Sequence, residues 1–186
     1  MNKAKVRERI YINKNELDCI ELDILNRRHI ERYAMIRQWC YGEVADISCG
    51  CGYGTYLVSK NPDVKNIIGV DIDKSAIKWC NKYYKTEKCS FEVNKIENFN
   101  SKKDVLICIE TIEHLKNPNI INDLAERCNI NTIFISYPSK KTTHYNKYHY
   151  YDFIDEDLIR IFKNYRIADV IDLHREVRIL KFIRNV

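Results

Sequence analysis

Glycine and proline are scarce in this chain, with five and three respectively among 186 residues. No internal repeat or low-complexity stretch interrupts it, so 1–186 reads as a single domain, close to the usual size for one core. No apolar run approaches the ~20 residues of a membrane-spanning helix, and a hydrophobic fraction of 45% suits a protein in water. Paired C-x-x-C spacing is missing as well. The eight cysteines (Cys19, Cys40, Cys49, Cys51, Cys80, Cys89, Cys108 and Cys128) are scattered, which argues for reduced core and turn residues rather than a disulfide framework or a zinc site. Met1–Arg9 is charged and lacks the apolar centre of a signal peptide, so cytoplasmic residence is the expectation, with 1–15 as a loose arm or a cap over a site. The charge imbalance is small, +5, which permits an anionic substrate without requiring one.

Three of the five glycines fall in one stretch, Val44-Ala45-Asp46-Ile47-Ser48-Cys49-Gly50-Cys51-Gly52-Tyr53-Gly54-Thr55, where a short apolar strand meets a turn and then a helical pattern. Glycine allows a sharp turn and removes the Cβ atoms that would keep a ligand off the main chain. The helix expected over 55–60 would aim unpaired N–H groups at that turn, a setting for a carboxylate or phosphate. The spelling excludes two common nucleotide sites. Position six counted from Gly50 is Thr55, which breaks Gly-x-Gly-x-x-Gly, and no Gly-x-x-x-x-Gly-Lys-Ser/Thr pattern occurs. A positive φ at Ser48 would be strained, because serine carries a Cβ.

The rest of the chain alternates helical and apolar strand patterns. Glu16–Trp39 carries helical spacing for one or two helices. Asn66–Asp73 is a continuous apolar strand ending in acid, as in a parallel sheet covered on both faces. Asp71 stands about 20 positions after the glycine turn, where an acceptor-only carboxylate receives ribose hydroxyls. Asp73 reads as the N-cap of a helix over 74–84. Further strands are expected at 90–93, 104–109 and 132–136, a helix at 155–164, and a closing strand pair at 166–173 and 177–183 turning around His174 and Arg175. The order implies an α/β fold: a Rossmann-like doubly wound sheet, mostly parallel with an antiparallel last strand, helices on both faces. After the fourth strand comes Glu110-Thr111-Ile112-Glu113-His114. Helical spacing would set Glu110, Glu113 and His114 on one side, where they could bind a divalent metal or let Glu113 orient His114 as a base. A long polar loop follows the fifth strand, with Lys140, Lys141, Tyr145, Tyr148, His149 and Tyr150.

Read together, these stretches resemble class I S-adenosylmethionine-dependent methyltransferases. The glycine turn is similar to their Asp-x-Gly-Cys-Gly-x-Gly-x-Gly-Thr motif, departing only at Ser48; Asn146–Phe153 is similar to the Asn-Pro-x-His-x-x-Glu-Phe element of one subgroup; and His29-Ile30-Glu31-Arg32-Tyr33 is similar to its His-x-x-Arg-Tyr segment. The resemblance implies S-adenosyl-L-methionine as cofactor, held by Asp46, Ser48, Gly50, Gly52, Thr55, Asp71, Ile72 and Glu110, with Arg32 or Tyr33 near its carboxylate and Ile96 packing on its adenine. Lys95 stands where the family usually has an acid for the adenine amino group, with Asn94 or Glu97 as replacements. The Glu-x-x-Glu-His turn is also that of small-RNA 2'-O-methyltransferases and ubiquinone-pathway O-methyltransferases. Carried over, Glu110, Glu113, His114 and His149 would hold Mg2+ or Mn2+, with iron or zinc as alternatives, and His114, Glu113 and His149 would serve catalysis.

O-methylation of a hydroxyl on a sugar or other small molecule is the first expectation, without membrane partners and with an oligomer supplying any missing wall. An RNA or nucleotide 2'-O-methyltransferase is the alternative, its lysines meeting phosphates and its tyrosines stacking bases. A non-catalytic, cofactor-binding partner subunit is the third reading.

Overall fold

The computed structural model describes residues 11–18 and 24–185. Seven strands form a sheet: β1 (Gly42–Ile47), β2 (Val64–Asp71), β3 (Cys89–Val93), β4 (Val105–Cys108), β5 (Thr132–Pro138), β6 (Tyr165–Leu173) and β7 (Val177–Arg184). Their order is β3-β2-β1-β4-β5-β7-β6. Strands β1 to β5 pair in parallel, and β7 runs antiparallel to both of its neighbours. The chain winds outward from β1 to β3, then restarts on the other side at β4. The strand order therefore reverses between β1 and β4, and a ligand crevice belongs at the carboxyl ends of those two strands.

The helices are α1 (Lys14–Asp18), α2 (Ile24–Arg37), α3 (Tyr53–Ser59), α4 (Lys74–Tyr83), α5 (Asn119–Arg127) and α6 (Asp155–Ile161). Strand side chains alternate between two cores because successive Cβ atoms point to opposite faces. Val105 and Ile107 join Ile30, Tyr33 and Ile36 of α2, Val58 of α3 and Ile77 of α4, whereas Leu106 and Cys108 join Ile121 and Leu124 of α5 and Leu158 of α6. Both faces are thus covered, which is why β4 and the 67–70 stretch of β2 read as unbroken apolar runs. Each fully buried large side chain contributes about 1.5–3 kcal/mol.

Local signals fix the elements beside the crevice. The Asp73 carboxylate accepts from the N–H groups of Ser75 (2.7 Å) and Ala76 (3.2 Å), capping α4 as expected. Gly52, at φ 80, starts α3, which begins two residues before the expected helix and ends one residue before it does. Glu16–Trp39 resolves into α1 and α2; Ile20 and Cys19 lie outside the described residues. Of the expected arm, 1–10 lies outside the described residues, but two side chains of the remainder reach the body of the fold: Ile12 is fully buried in the α2–α4 core and the half-exposed Tyr11 meets Trp79 edge-on at 5.4 Å. α5 answers to no expected element, although Ile121, Leu124 and Ala125 recur at helical spacing and are fully buried. The seven described cysteines are buried and form no disulfide with one another. Among the described residues no helix is long and apolar enough to cross a membrane.

Candidate active site

A cavity of about 370 Å3 opens where the strand order reverses. One wall is the glycine turn after β1. Ser48, Gly50 and Gly52 adopt φ of 58, 55 and 80°, so Ser48 does take the left-handed conformation that its Cβ disfavours. The N–H of Gly50 donates to Asp71 Oδ2 (3.0 Å), and Asp73 N–H donates to Oδ1 (2.9 Å). Asp71 therefore ties the end of β2 to the turn while lining the cavity, with Ile72 beside it two-thirds exposed. A Cβ at Gly50 would meet no atom within 4 Å, whereas one at Gly52 would strike Cys80 and Phe91, and one at Gly54 would strike the Tyr33 ring.

Three expected contact residues sit beneath this wall instead of on it. Asp46 is fully buried, accepting from Thr55 Oγ1 (2.5 Å) and the Tyr33 hydroxyl (3.2 Å); burial pushes its carboxyl up to about 7. Asp46 and Thr55 fasten α3 and α2 to the sheet, and Gly52 is required by close packing, so none of the three lines the cavity. The alternation of the pleat that points Asp46 into the α2–α3 side is the reason. Ile96 packs against the α5–α6 core away from the cavity lining, and Lys95 is exposed.

α2 supplies a second wall. Arg32 is 8% exposed; its Nη1 donates to His29 Nδ1 at 2.8 Å and its Nη2 faces Glu110 Oε2 at 3.5 Å. Tyr33 and Tyr53 also line the cavity, edge-on to one another at 5.8 Å. Neither His29 nor Tyr53 was among the expected site residues. His29 sits one helical turn before Arg32, a spacing legible in sequence, whereas Tyr53 is hidden as a variable position inside the glycine motif.

The third wall follows β4, and here the helical expectation fails. Glu110 takes φ 52, with its N–H donating to Ser136 Oγ (2.8 Å) and its Oε1 accepting from the same hydroxyl (2.9 Å). Only Ile112–His114 forms a turn, and it is 3-10. The left-handed residue breaks helical spacing, so Glu110 faces Arg32 while Glu113 turns inward. Ligand atoms of Glu113, His114 and His149 lie within 4.8 Å of one another; Glu110 is not in that group. The Glu113 side chain is buried, and neither carboxylate oxygen has a partner from another residue. Burial first, and then the charge of Glu110, pushes its carboxyl well above the usual range, with Arg32 opposing. His114 Nδ1 lies 3.2 Å from the Tyr148 carbonyl, which can only accept, so Nδ1 carries the proton and Nε2 is the acceptor. His149 Nδ1 meets Thr142 Oγ1 at 2.6 Å, and the two imidazoles stand edge-on at 4.6 Å. Tyr150 N–H also donates to the Glu113 carbonyl (2.8 Å), which staples the polar loop to this wall. A buried carboxylate without a partner, beside two imidazoles, is a donor set that fits a divalent cation.

Residues 45–130 match the family described as a methyltransferase domain. A ubiquinone biosynthesis O-methyltransferase, mitochondrial, of Saccharomyces cerevisiae is 26% identical over 83 residues, covering 42% of this chain; the match spans about a quarter of the yeast protein's length, 27%. Among solved structures, magnesium protoporphyrin IX methyltransferase of Synechocystis with bound SAM has a TM-score of 0.71 at 17% identity, covering 99% of this chain and 100% of that one. The N-methyltransferase NodS of Bradyrhizobium japonicum with S-adenosyl-L-homocysteine has a TM-score of 0.71 at 13% identity, covering 90% and 91%. The shared fold extends over nearly the whole chain.

Proposed function

We propose, for a chain with the fold of the class I S-adenosylmethionine-dependent methyltransferases and a methyltransferase domain over residues 45–130, that it methylates a hydroxyl oxygen. The observation that carries this reading is the placing of Asp71, the Gly50 turn, the Arg32–Glu110 pair and His114 around one cavity. Asp71 is an acceptor suited to ribose hydroxyls, and the oppositely charged Arg32 and Glu110 suit the carboxylate and ammonium of an amino acid. S-adenosylmethionine supplies an electrophilic methyl group on a sulfonium sulfur. The residues align the two reactants, which supplies most of the acceleration. His114 Nε2, left as the acceptor by the Tyr148 contact, takes the hydroxyl proton as the oxygen–carbon bond forms and the carbon–sulfur pair returns to sulfur. The same Nε2 could instead join Glu113 and His149 in holding a divalent cation, which would then polarise the acceptor hydroxyl in place of the base. With one carboxylate and two imidazoles, manganese suits this set better than magnesium.

The name of the yeast relative favours oxygen as the acceptor atom. A sugar or other small hydroxyl compound is the favoured substrate class, since a cavity of about 370 Å3 that must also take a cofactor suits a small or protruding acceptor. A single-stranded RNA end is the second reading, because Tyr145, Tyr148, Tyr150 and Tyr151 are exposed around His149, with Lys147 over the Tyr148 ring at 5.0 Å and Lys116 near that of Tyr150. The test is S-adenosylhomocysteine release with neutral sugars and with short oligoribonucleotides as acceptors. Release with one class, falling about 10²-fold or more in His114→Ala, supports the proposal and selects the acceptor. Acceptor-dependent release that survives His114→Ala overturns the role of His114; cofactor binding without release leaves a non-catalytic subunit.

A further inference from the structure

We infer that His29 is a positioning residue that aims Arg32 at the carboxylate of the cofactor's amino-acid end; this deepens the reading above and rests on it. A guanidinium has only donors, so the 2.8 Å contact from Arg32 Nη1 requires His29 Nδ1 to accept. The imidazole is thereby held neutral with its proton on Nε2, and burial together with the Arg32 charge agrees, pushing its pKa down to about 4. His29 and Arg32 lie three apart on α2 and meet on one face of the helix.

The contact matters because Arg32 is weakly held otherwise. Its Nη2 is 3.5 Å from Glu110, at the long end of an ion pair, and its buried Nε has no hydrogen-bond partner. A long arginine side chain in that position has rotamers to choose from, and His29 selects the one that presents the guanidinium edge to the cavity. Glu110 is fixed independently through Ser136. The two charges thus form a dipolar receptor with both members oriented: the arginine for a carboxylate and the glutamate for an ammonium. An entering α-amino acid would exchange the loose Arg32–Glu110 pairing for two closer ones while the His29 contact remains.

The test compares two probes that differ only by that amino-acid end. S-adenosylhomocysteine carries it and 5'-methylthioadenosine does not. His29→Phe removes the acceptor while keeping a ring; His29→Asn places an amide oxygen close to the position of Nδ1 and restores it. Calorimetric titration should show S-adenosylhomocysteine about tenfold weaker in His29→Phe, methylthioadenosine unchanged within twofold, and recovery of most of the loss in His29→Asn. Equal weakening of both probes, or no weakening of either, overturns the positioning role while the cofactor site stands. Wild-type protein that binds neither probe overturns the cofactor reading and this inference with it.

Discussion

Two glycines two residues apart in the turn after β1 should respond oppositely to the same added methyl group. Both have left-handed φ, 55° at Gly50 and 80° at Gly52, so alanine costs about 1 kcal/mol at either. At Gly50 that is nearly the whole cost, because a Cβ there meets nothing within 4 Å. The smaller conformational freedom of the unfolded alanine chain offsets part of it, leaving about 0–1 kcal/mol. At Gly52 the Cβ would stand 2.7 Å from Cys80 Sγ and 2.8 Å from Phe91 Cε1, both buried, and overpacking adds about 1–3 kcal/mol. At about 2–4 °C per kcal/mol for a chain of this length, Gly50→Ala should melt within about 4 °C of wild type and Gly52→Ala about 5–15 °C lower. Ligand binding should reverse the ranking of harm. Gly50 lines the cavity, so its added methyl group occupies ligand space, and Gly50→Ala should weaken S-adenosylhomocysteine at least about tenfold with the fold intact. Thermal melts and calorimetric titration of both variants measure this. A Gly50→Ala protein that binds as tightly as wild type, or melts as low as Gly52→Ala, refutes the assignment of the turn.

Two further outcomes follow from the buried carboxyls. The Asp46 carboxyl, raised by burial to about 7 against an unfolded value near 3.9, keeps a proton that the unfolded chain loses between those values. Its contribution makes stability fall as pH rises from about 4 to about 7, so Asp46→Asn should flatten that part of the pH profile in urea unfolding; an unchanged slope would contradict the burial argument. Glu113→Gln should abolish manganese binding measured by paramagnetic resonance without lowering the melting temperature, because it removes a buried acid that has no partner. Manganese bound equally well by the variant would rule out the Glu113, His114 and His149 group as the ion site.

Much of this site is legible along the chain because strand ends and turns are local events. The glycine turn, the acid at the end of β2 and the Asp73 cap each depend on residues within a few positions, and all three stand where the spacing puts them. The apolar runs at 67–70 in β2 and over β4 announce a sheet covered on both faces. What eludes sequence is decided across strands. Glu110 leaves the expected helical face because Ser136, on β5, holds both its N–H and its carboxylate. Asp46 looks like a ligand contact in the motif, but the pleat aims it at Thr55 and Tyr33. His29 becomes meaningful only when β4 brings Glu110 to the far side of Arg32. Ile12 follows the same logic: a polar N-terminal stretch conceals one side chain that fills the α2–α4 core.

Cofactor binding is tested by titrating the purified chain with S-adenosylmethionine and S-adenosylhomocysteine, and by repeating the titration with Asp71→Ala. Micromolar binding of both by the wild-type chain, lost in Asp71→Ala while the variant still melts cooperatively, is the predicted result. Failure of the wild-type chain to bind either compound would overturn the cofactor role proposed for the crevice.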